Sequence, residues 1–161
     1  MSVIVEPLPI AAGPSPALHA GVVLDTFRIE KLIARSGMAS IYRAIDLRDG
    51  RAVALKIPHP QMETDPVFLD RFRREEEIGS DLNHPAVMKV FPDDTENGRS
   101  RRYMVMEWIE GRLLRDLLIE RKMLAPERAA AIALRICRAL GYIHRCGVVH
   151  RDLKPENIMI D

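Results

Sequence analysis

Near its carboxyl end the chain reads His150-Arg151-Asp152-Leu153-Lys154-Pro155-Glu156-Asn157. This stretch gathers a carboxylate, an amine and an amide directly after an apolar segment with helical spacing. The Asp152 carboxylate can accept the proton of a hydroxyl group, and the Lys154 amine can neutralise negative charge. The side-chain oxygen of Asn157 is a ligand type that Mg²⁺ accepts. The alternative is a polar surface turn that follows a helix.

This octapeptide resembles the catalytic loop of protein kinases at every position. The resemblance implies that Asp152 orients the attacking hydroxyl and takes its proton, that Lys154 stabilises the moving phosphoryl group, and that Asn157 holds Mg²⁺. In that family, a lysine two positions after the aspartate accompanies Ser/Thr substrates rather than Tyr substrates. The implied partners are therefore ATP, Mg²⁺ and a protein that presents a serine or threonine.

Composition excludes several other classes of protein. The chain has 161 residues with 47% hydrophobic and 29% charged residues, which is typical of a globular domain with a core. A formal net charge of +1 gives no electrostatic case for binding nucleic acid or a membrane surface. Cys137 and Cys146 are too few for a disulfide framework or a metal cluster, and reduced thiols predict a cytoplasmic protein. No apolar stretch is long enough to cross a bilayer.

The first half of the sequence has mainly strand-like patterns. Residues 1–25 are rich in proline and alanine and have no basic start, so we expect a flexible leader rather than a secretion signal. Between 26 and 56, alternating segments and the Asp49-Gly50 hairpin signal predict three antiparallel strands. Asp65 and Pro66 then predict the start of a helix, and Asn83-His84-Pro85 predicts its end.

Two more strands are predicted at 86–91 and 103–108, joined by a polar, exposed loop. The loop carries Arg99, Arg101 and Arg102, which we interpret as a solvated turn, with a phosphate-contacting patch as the alternative. After Gly111 the spacing predicts a short helix near 113–118 and a longer one from Pro126 to Gly147. On the longer helix, an apolar stripe is formed by Ala129, Ile132, Ala133, Ile136, Leu140 and Ile143, and we expect that the further helices of a complete kinase domain would cover it.

The predicted fold class is α+β with a protein-kinase-like arrangement. We assign 26–107 to an amino-terminal lobe with an antiparallel sheet and one helix, and 108–111 to a hinge. Residues 112–161 would form the first helices and the catalytic loop of a helical lobe. The sequence ends four residues after Asn157, before the Asp-Phe-Gly motif that the resemblance implies, so residues 1–161 alone are expected to be inactive.

Val53-Ala54-Leu55-Lys56 is similar to the third-strand lysine motif of kinases. The resemblance implies that Ala54 packs on adenine and that Lys56 reaches the phosphates. Glu75 lies on the apolar helix face, where an unpaired carboxylate is costly, and the family pairs such a glutamate with the lysine. Glu76 and Glu77 remain alternatives. The segments 71–75 and 82–85 are similar to those of bacterial Ser/Thr kinases.

The stretch 103–111 is similar to the strand and hinge of kinases. The resemblance implies that Met106 lies at the back of the adenine pocket, and that the Glu107 carbonyl and the Ile109 amide bond the adenine edge. Because backbone contacts tolerate many side chains, a plain core strand followed by a loop is the alternative.

The phosphate-covering loop departs from the family pattern. Ala34, Ser36 and Ala39 occupy its three glycine positions, and only Gly37 is a glycine. Extra Cβ atoms should keep backbone amides further from phosphate oxygens, so we predict weakened ATP binding. The implied ATP-binding loop consists of Ile33, Ala34, Arg35, Ser36, Gly37, Met38, Ala39, Ser40 and Ile41.

The resemblance therefore predicts a Ser/Thr protein kinase that depends on ATP and Mg²⁺. A non-catalytic, pseudokinase-like module that binds nucleotide or a protein is the second hypothesis, since the glycine loop is degraded. A third is another phosphotransferase, such as an aminoglycoside or lipopolysaccharide kinase. Those relatives usually depart from the Lys154-Pro155-Glu156 pattern.

Overall fold

The computed structural model describes residues 2–3, 18–92 and 98–160. In chain order its elements are β1 (Ser2–Val3), β2 (Val23–Leu24), β3 (Phe27–Arg35), β4 (Ala39–Asp46), β5 (Ala52–Pro58), α1 (Pro66–Asp81), β6 (Val90–Phe91), β7 (Met104–Glu107), β8 (Arg112–Leu113), α2 (Leu114–Arg121), α3 (Pro126–Arg145) and β9 (Ile158–Ile160). A short 3-10 turn at Pro155–Asn157 precedes β9.

The chain divides into two compact units. The sheet unit consists of Leu8–Asp81 and Lys89–Trp108, and the helical unit consists of Met1–Pro7, Leu82–Met88 and Ile109–Asp161. Neither unit is continuous in sequence, because the segment after α1 packs with the helices and the chain then returns to the sheet.

The sheet unit is a six-stranded antiparallel sheet with strand order β2-β3-β4-β5-β7-β6. Along β4 buried residues alternate with more accessible ones, as the two-residue period of a strand requires. The core on one face of the sheet consists of Phe27, Ile29, Tyr42, Ala44, Val53, Leu55, Ile57, Tyr103 and Val105. This packing holds β5 rigidly in the middle of the sheet.

The three predicted strands are present, and the Asp49-Gly50 turn joins β4 to β5. Gly50 has a φ of +77° and its amide donates to the Asp46 carbonyl at 2.8 Å. The sheet begins earlier than predicted, because β2 pairs with β3 and the Leu18 amide donates to the Tyr42 hydroxyl at 3.1 Å. Ser2–Val3, also placed in the leader, pairs with β9. The rest of the predicted leader, 4–17, and the loop positions 93–97 lie outside the described residues.

Helix α1 begins and ends where the sequence predicts. The Asp65 carboxylate accepts hydrogen bonds from the amides of Val67 and Phe68 at 3.0 and 3.3 Å, which satisfies donors of the first turn. The predicted strand at 86–91 is wrong over its first four residues, since only Val90–Phe91 is a strand. Ala86, Val87 and Met88 are buried instead in a turn of the helical unit. A buried apolar run does not by itself distinguish a strand from a packed turn.

In the helical unit, α2 and α3 form as predicted. Residues of both pack with Ile158, and Arg112 of β8 pairs in register with Ile160 of β9. The predicted stripe on α3 is only partly buried: Ile132 and Ile136 are half-buried, whereas Ala129 and Ala133 are exposed. Periodicity identifies an apolar face but does not say how much of that face is covered.

The segment after α1 is tied to α3 by Tyr142. The Asn83 amide donates to the Tyr142 hydroxyl at 2.8 Å, and the His84 ring stacks on the Tyr142 ring with 5.1 Å between centroids. Gly147, with a φ of +76°, ends α3 as predicted. None of the helices in the described parts of the chain has the length and apolar character that a bilayer crossing needs.

Candidate active site

Lys56 and Glu75 form an ion pair within the sheet unit. Lys56 projects from β5, and its Nζ donates to both carboxylate oxygens of Glu75 on α1, at 3.0 and 3.1 Å. The Lys56 side chain is only 13% exposed, and its Nζ lies 5.4 Å from the centre of the Phe72 ring. Burial lowers the pKa of Lys56, and the Glu75 carboxylate opposes that shift. Glu75 is therefore the carboxylate that pairs with Lys56, whereas Glu76 pairs with Arg99.

Ala54 and Met106 are directly opposite each other on neighbouring strands. They are register partners in the β5–β7 pair, and both are buried. Glu107 ends β7, where its amide donates to the Lys89 carbonyl at 2.8 Å. Ile109 is buried in the helical unit. Glu107 thus belongs to the sheet unit, and Ile109 belongs to the helical unit.

The glycine-poor loop lies between β3 and β4 and is closed by a serine side chain. The Ser36 hydroxyl oxygen accepts from the amides of Ala39 and Met38 at 2.9 and 3.2 Å, and the hydroxyl donates to the Ala39 carbonyl at 2.9 Å. Ala34 and Ile41 are register partners on either side of the turn. The amides of Met38 and Ala39 are therefore already hydrogen-bonded to the Ser36 side chain, which a glycine at this position would lack.

His59, which directly follows β5, holds the same loop and was not predicted as a site residue from the sequence. Its amide donates to the Met38 carbonyl at 2.8 Å, and its Nε2 lies 3.0 Å from the Ser40 hydroxyl. The ring is buried, and this burial is the main reason that its pKa is lowered. The positive charges of Arg35 and Arg101 lower the pKa further. The available sequence signal was a histidine that directly follows a buried strand, which also fits an ordinary core residue.

Asp152, Lys154 and Asn157 come together in the helical unit. The Lys154 amine lies 2.8 Å from an Asp152 carboxylate oxygen. The Asn157 side-chain amide donates to the Asp152 carbonyl at 2.8 Å and lies 3.3 Å from its carboxylate. The Asn157 backbone amide donates to the Lys154 carbonyl at 2.9 Å, which closes the 3-10 turn. One short loop therefore fixes all three groups that the sequence singled out.

The backbone before Asp152 is held by His150. The Asp152 amide donates to the His150 carbonyl at 2.8 Å and lies 3.3 Å from its Nδ1. Arg151, between them, has a φ of +63°, a left-handed conformation that is costly for a residue with a Cβ. The buried His150 side chain therefore contacts the backbone amide that positions Asp152.

The charges of this loop keep Asp152 ionised. The hydrogen bond from Lys154 has the largest influence and, with the one from Asn157, holds the pKa of the Asp152 carboxyl below its ordinary value of 3.8. The Asn157 side chain is fully buried, and its Oδ1 has no hydrogen-bond partner among the residues that the structure describes. Within the described residues no three His, Cys, Asp or Glu side chains cluster as metal ligands. Asn157 Oδ1 is therefore a buried side-chain oxygen that accepts no hydrogen bond from this part of the chain.

Two of the three loop arginines are ion-paired, so the interpretation as a solvated turn is wrong for them. Arg99 Nη1 lies 2.7 Å from Glu76 on α1, and its side chain is 6% exposed. Arg101 Nη2 lies 2.6 Å from Glu63 and donates to the Pro58 carbonyl at 2.9 Å. These contacts also argue against the alternative of a phosphate patch. Only Arg102 is exposed.

The family is decided by a comparison with models of known protein families. The model described as "Protein kinase domain" matches residues 27–161. The chain belongs to the protein kinase family. This confirms the predicted kinase-like fold, and the resemblance to the catalytic loop is part of a match that covers nearly all of the described chain.

Relatives and solved structures agree with this assignment. The probable serine/threonine-protein kinase SCO3848 of Streptomyces coelicolor is 42% identical over 136 residues, which are 83% of this chain and 20% of that protein. The crystal structure of the Mycobacterium tuberculosis PknI kinase domain matches with a TM-score of 0.72 at 27% identity, covering 89% of this chain and 58% of that one. Rad53 1–466 in complex with AMP-PNP matches with a TM-score of 0.71 at 33% identity, covering 84% and 35%.

These proteins place the kinase domain among the bacterial Ser/Thr type, as predicted. The chain spans about a fifth of the length of the Streptomyces relative and little more than half of the PknI domain.

Proposed function

We propose that this kinase domain transfers the terminal phosphoryl group of ATP to a serine or threonine of a protein, with Mg²⁺. The observation that carries the proposal is the loop that joins Asp152, Lys154 and Asn157 by hydrogen bonds and an ion pair. A carboxylate, an amine and a buried amide oxygen are the groups that phosphoryl transfer to a hydroxyl needs.

In the sheet unit, we propose that Lys56 binds phosphate oxygens of ATP. Its amine is buried and is held by Glu75, so it is oriented before a nucleotide arrives. A preoriented charge costs no reorganisation during the reaction, which is how electrostatic stabilisation becomes effective. Ala54 and Met106, paired on adjacent strands, would contact adenine, and the Glu107 carbonyl would accept a hydrogen bond from its edge.

In the helical unit, we propose that Asp152 orients the substrate hydroxyl and accepts its proton. Its lowered pKa keeps it ionised near neutral pH, so it can accept a hydrogen bond from a neutral hydroxyl. Lys154 would share its charge between Asp152 and the phosphoryl group, because one of its donors already bonds the carboxylate at 2.8 Å. An amine has three donors, which leaves capacity for phosphate oxygens.

The residues present fit Mg²⁺. Asn157 offers a buried side-chain oxygen to which none of the described residues donates, and Mg²⁺ is usually held by few protein oxygens together with substrate phosphates. When bound, Mg²⁺ neutralises negative charge on the phosphate oxygens. The contribution of this chain is to fix the Asn157 oxygen through the hydrogen bond of its amide nitrogen to Asp152.

A specific observation favours the second candidate function, a module that binds nucleotide or a protein without phosphoryl transfer. The Ser36 hydroxyl occupies two backbone amides at the tip of the loop between β3 and β4. In the family this loop covers the phosphates of ATP with free amides. A loop whose amides are already bonded would bind phosphate less tightly, and the phosphoryl group would then be less well positioned.

The experiment that separates the two candidates is phosphoryl transfer measured on the intact protein with Mg²⁺-ATP and peptides that present serine, threonine or tyrosine. The proposed kinase should modify serine or threonine peptides, and the Asp152→Asn variant should lose this activity while it still binds ATP. Binding of ATP without transfer by the unmodified protein would instead establish the module. Transfer to tyrosine alone would overturn the proposed substrate class.

A further inference from the structure

One face of helix α1 carries two carboxylates that point to opposite sides of its contact with the sheet. Phe72, Glu75, Glu76 and Gly79 follow the spacing that places residues on one helical face. Phe72 is buried, and Gly79 lies so close to Val90 that an added Cβ would be 2.5 Å from a valine methyl carbon. Because consecutive residues of a helix are about 100° apart, Glu75 and Glu76 flank this contact line.

Each carboxylate has a cation of its own within the sheet unit. Glu75 accepts from Lys56 at 3.0 and 3.1 Å, and Glu76 lies 2.7 Å from Arg99 Nη1. The side chains of Arg99 and Glu76 are 6% and 14% exposed, which makes this pair more buried than the other. Removing one partner of so buried a pair leaves an uncompensated charge, which is more costly than losing a surface pair.

Arg99 is itself bound to Tyr103, the residue directly before strand β7. It donates to the Tyr103 carbonyl, and its guanidinium carbon lies 4.6 Å from the centre of the Tyr103 ring. The Tyr103 hydroxyl donates to Asp25 at 2.7 Å, so the tyrosine is held at both ends. The next residue, Met104, is the register partner of Lys56. The two cations that hold α1 are therefore anchored on adjacent, hydrogen-bonded strands.

We propose that Arg99 is a positioning residue that holds α1 against the sheet and thereby keeps Glu75 on Lys56. Movement of the helix away from the sheet stretches both the Lys56–Glu75 pair and the Arg99–Glu76 pair. With both pairs present the helix is fastened to the sheet on both sides of its contact line. The effect of Arg99 on phosphoryl transfer rests on the proposed function, whereas its effect on Lys56 does not.

Loss of Arg99 should change the chemistry of the Lys56 amine. Glu76 would then carry a buried charge without a counterion, and movement of α1 away from the sheet would relieve that cost by hydrating Glu76 while it withdraws Glu75 from Lys56. Burial lowers the pKa of Lys56. The Glu75 carboxylate, which is the charged group that faces the amine from α1, raises that pKa. Withdrawal of Glu75 should therefore lower the pKa further and leave more of the amine unprotonated near neutral pH.

The test is the pH dependence of acylation of Lys56 in the intact protein, using trace acetic anhydride and mass spectrometry of the Lys56 peptide. The midpoint of the profile reports the pKa of the amine, and the plateau reports its accessibility. In Arg99→Met, which keeps an apolar stem against Tyr103, we expect the midpoint to fall by about half a unit or more, or about threefold in unprotonated amine.

Arg101→Met is the matched control, because Arg101 lies in the same loop and is ion-paired at 2.6 Å to Glu63, which precedes α1. It should leave the midpoint unchanged. Arg99→Lys, which retains a charge toward Glu76, should restore the wild-type midpoint. Glu76→Gln serves if Arg99→Met fails to fold, and it should shift the midpoint in the same direction.

An unchanged midpoint in Arg99→Met or Glu76→Gln would overturn the proposal, as would an equal shift in Arg101→Met. Phosphoryl transfer measured in the same variants separates the two claims. A shifted midpoint in a protein whose wild type transfers no phosphate would support the positioning role and refute the proposed function. A lowered melting temperature without a midpoint shift would make Arg99 merely structural.

Discussion

The amine nitrogen of Lys56 lies 3.0 Å from one carboxylate oxygen of Glu75 and 3.1 Å from the other. Such a symmetric contact uses donors of the amine on a single partner and directs the lysine along one line. The pair joins β5, the strand at the middle of the sheet, to α1. The pair therefore holds the positive charge of Lys56 at one position within the sheet unit. An unpaired lysine, whose flexible side chain has four rotatable bonds, would not be held in this way.

The first prediction concerns this pair. Lys56→Met should lower the rate of phosphoryl transfer on the order of 10²- to 10³-fold, because it removes a preoriented positive charge. Glu75→Gln should have a smaller effect, since the amide oxygen can still accept from the amine. Single-turnover rates with saturating ATP give the measurement. Asp49→Asn, which alters an exposed pair with Arg51 at 3.6 Å, is the control and should leave the rate unchanged. Normal transfer by Lys56→Met would contradict the assigned role.

The second prediction concerns Asp152. Asp152→Asn should lower the rate about 10²- to 10⁴-fold, the usual contribution of a general base, while ATP binding stays near the wild-type value. The carboxylate is 41% exposed, so the variant should fold normally. Asp116→Asn changes a half-exposed carboxylate on α2 and serves as the control. If both variants transferred phosphate at the wild-type rate, Asp152 could not be the acceptor of the hydroxyl proton.

The third prediction concerns Ser36. Ser36→Gly should free the amides of Met38 and Ala39, which the serine hydroxyl oxygen now occupies at 3.2 and 2.9 Å. If these amides then bond phosphate, the gain is about 1 kcal/mol, or about fivefold in the Kd for Mg²⁺-ATP by titration calorimetry. Ser80→Ala removes a comparable hydroxyl bond, to the Glu77 carbonyl at 2.8 Å, and should not change the Kd. A weaker Kd in Ser36→Gly would show that the serine shapes the loop for nucleotide.

Elements of this fold with local signals were predictable from the sequence. The Asp49-Gly50 turn needs a residue that tolerates positive φ, and Asp65 caps α1 through amides two and three residues ahead. The strand predicted at 86–91 failed because its apolar residues are buried in the helical unit rather than in the sheet. The apolar residue types correctly predicted that these positions are buried. They did not predict which unit buries them, because that depends on the tertiary structure.

The candidate site likewise has residues that the sequence predicts and residues that depend on the tertiary structure. Glu75 was predictable because its helical phase places it on the apolar face of α1 with Phe72, and the partner Lys56 lies in a recognisable motif. Arg99 was not predictable, since its partner Glu76 lies 23 positions away and a polar loop of arginines is typical of solvent. The hydrogen bonds of Ser36 also depend on the turn geometry, which the residue types alone do not specify.

The fourth prediction concerns the pH dependence of stability through His59. Burial, with the charges of Arg35 and Arg101, lowers the pKa of the folded-state ring below its ordinary value of 6.5. On acidification the unfolded chain therefore binds the proton first, and the free energy of unfolding falls as the pH drops below 6.5 until the folded ring is protonated. The slope for one proton is at most about 1.4 kcal/mol per pH unit.

Urea denaturation of wild type and His59→Gln across this range measures the slope. The difference between the two proteins isolates His59 from the other histidines, and the variant should show the flatter dependence. His144→Gln, which changes an exposed histidine at the end of α3, is the control and should keep the wild-type slope. Parallel curves for wild type and His59→Gln would show that the buried ring is not the origin of the pH dependence.

The fifth prediction uses two helical glycines that differ in their surroundings. An added Cβ at Gly79 on α1 would lie 2.5 Å from a Val90 methyl carbon and 3.0 Å from its Cβ, whereas at Gly141 on α3 the nearest atom is the end of Arg145 at 3.6 Å. Valine is stiff at χ1 and cannot easily move away. Gly79→Ala should therefore destabilise by about 1–3 kcal/mol despite the better helix propensity of alanine, and Gly141→Ala should stabilise by up to about 1 kcal/mol.

Thermal and urea unfolding of the two variants give the comparison, and Gly79→Ala/Val90→Ala should recover part of the loss because it removes the methyl groups in conflict. Gly79 shares its helical face with Glu75 and Glu76, so Gly79→Ala should also move α1 away from the sheet and slow phosphoryl transfer more than its stability loss explains. Gly141→Ala should leave transfer unchanged. Equal stabilisation by both substitutions would mean that α1 does not depend on close contact with β6, and this contact would then not help to hold the helix against the sheet.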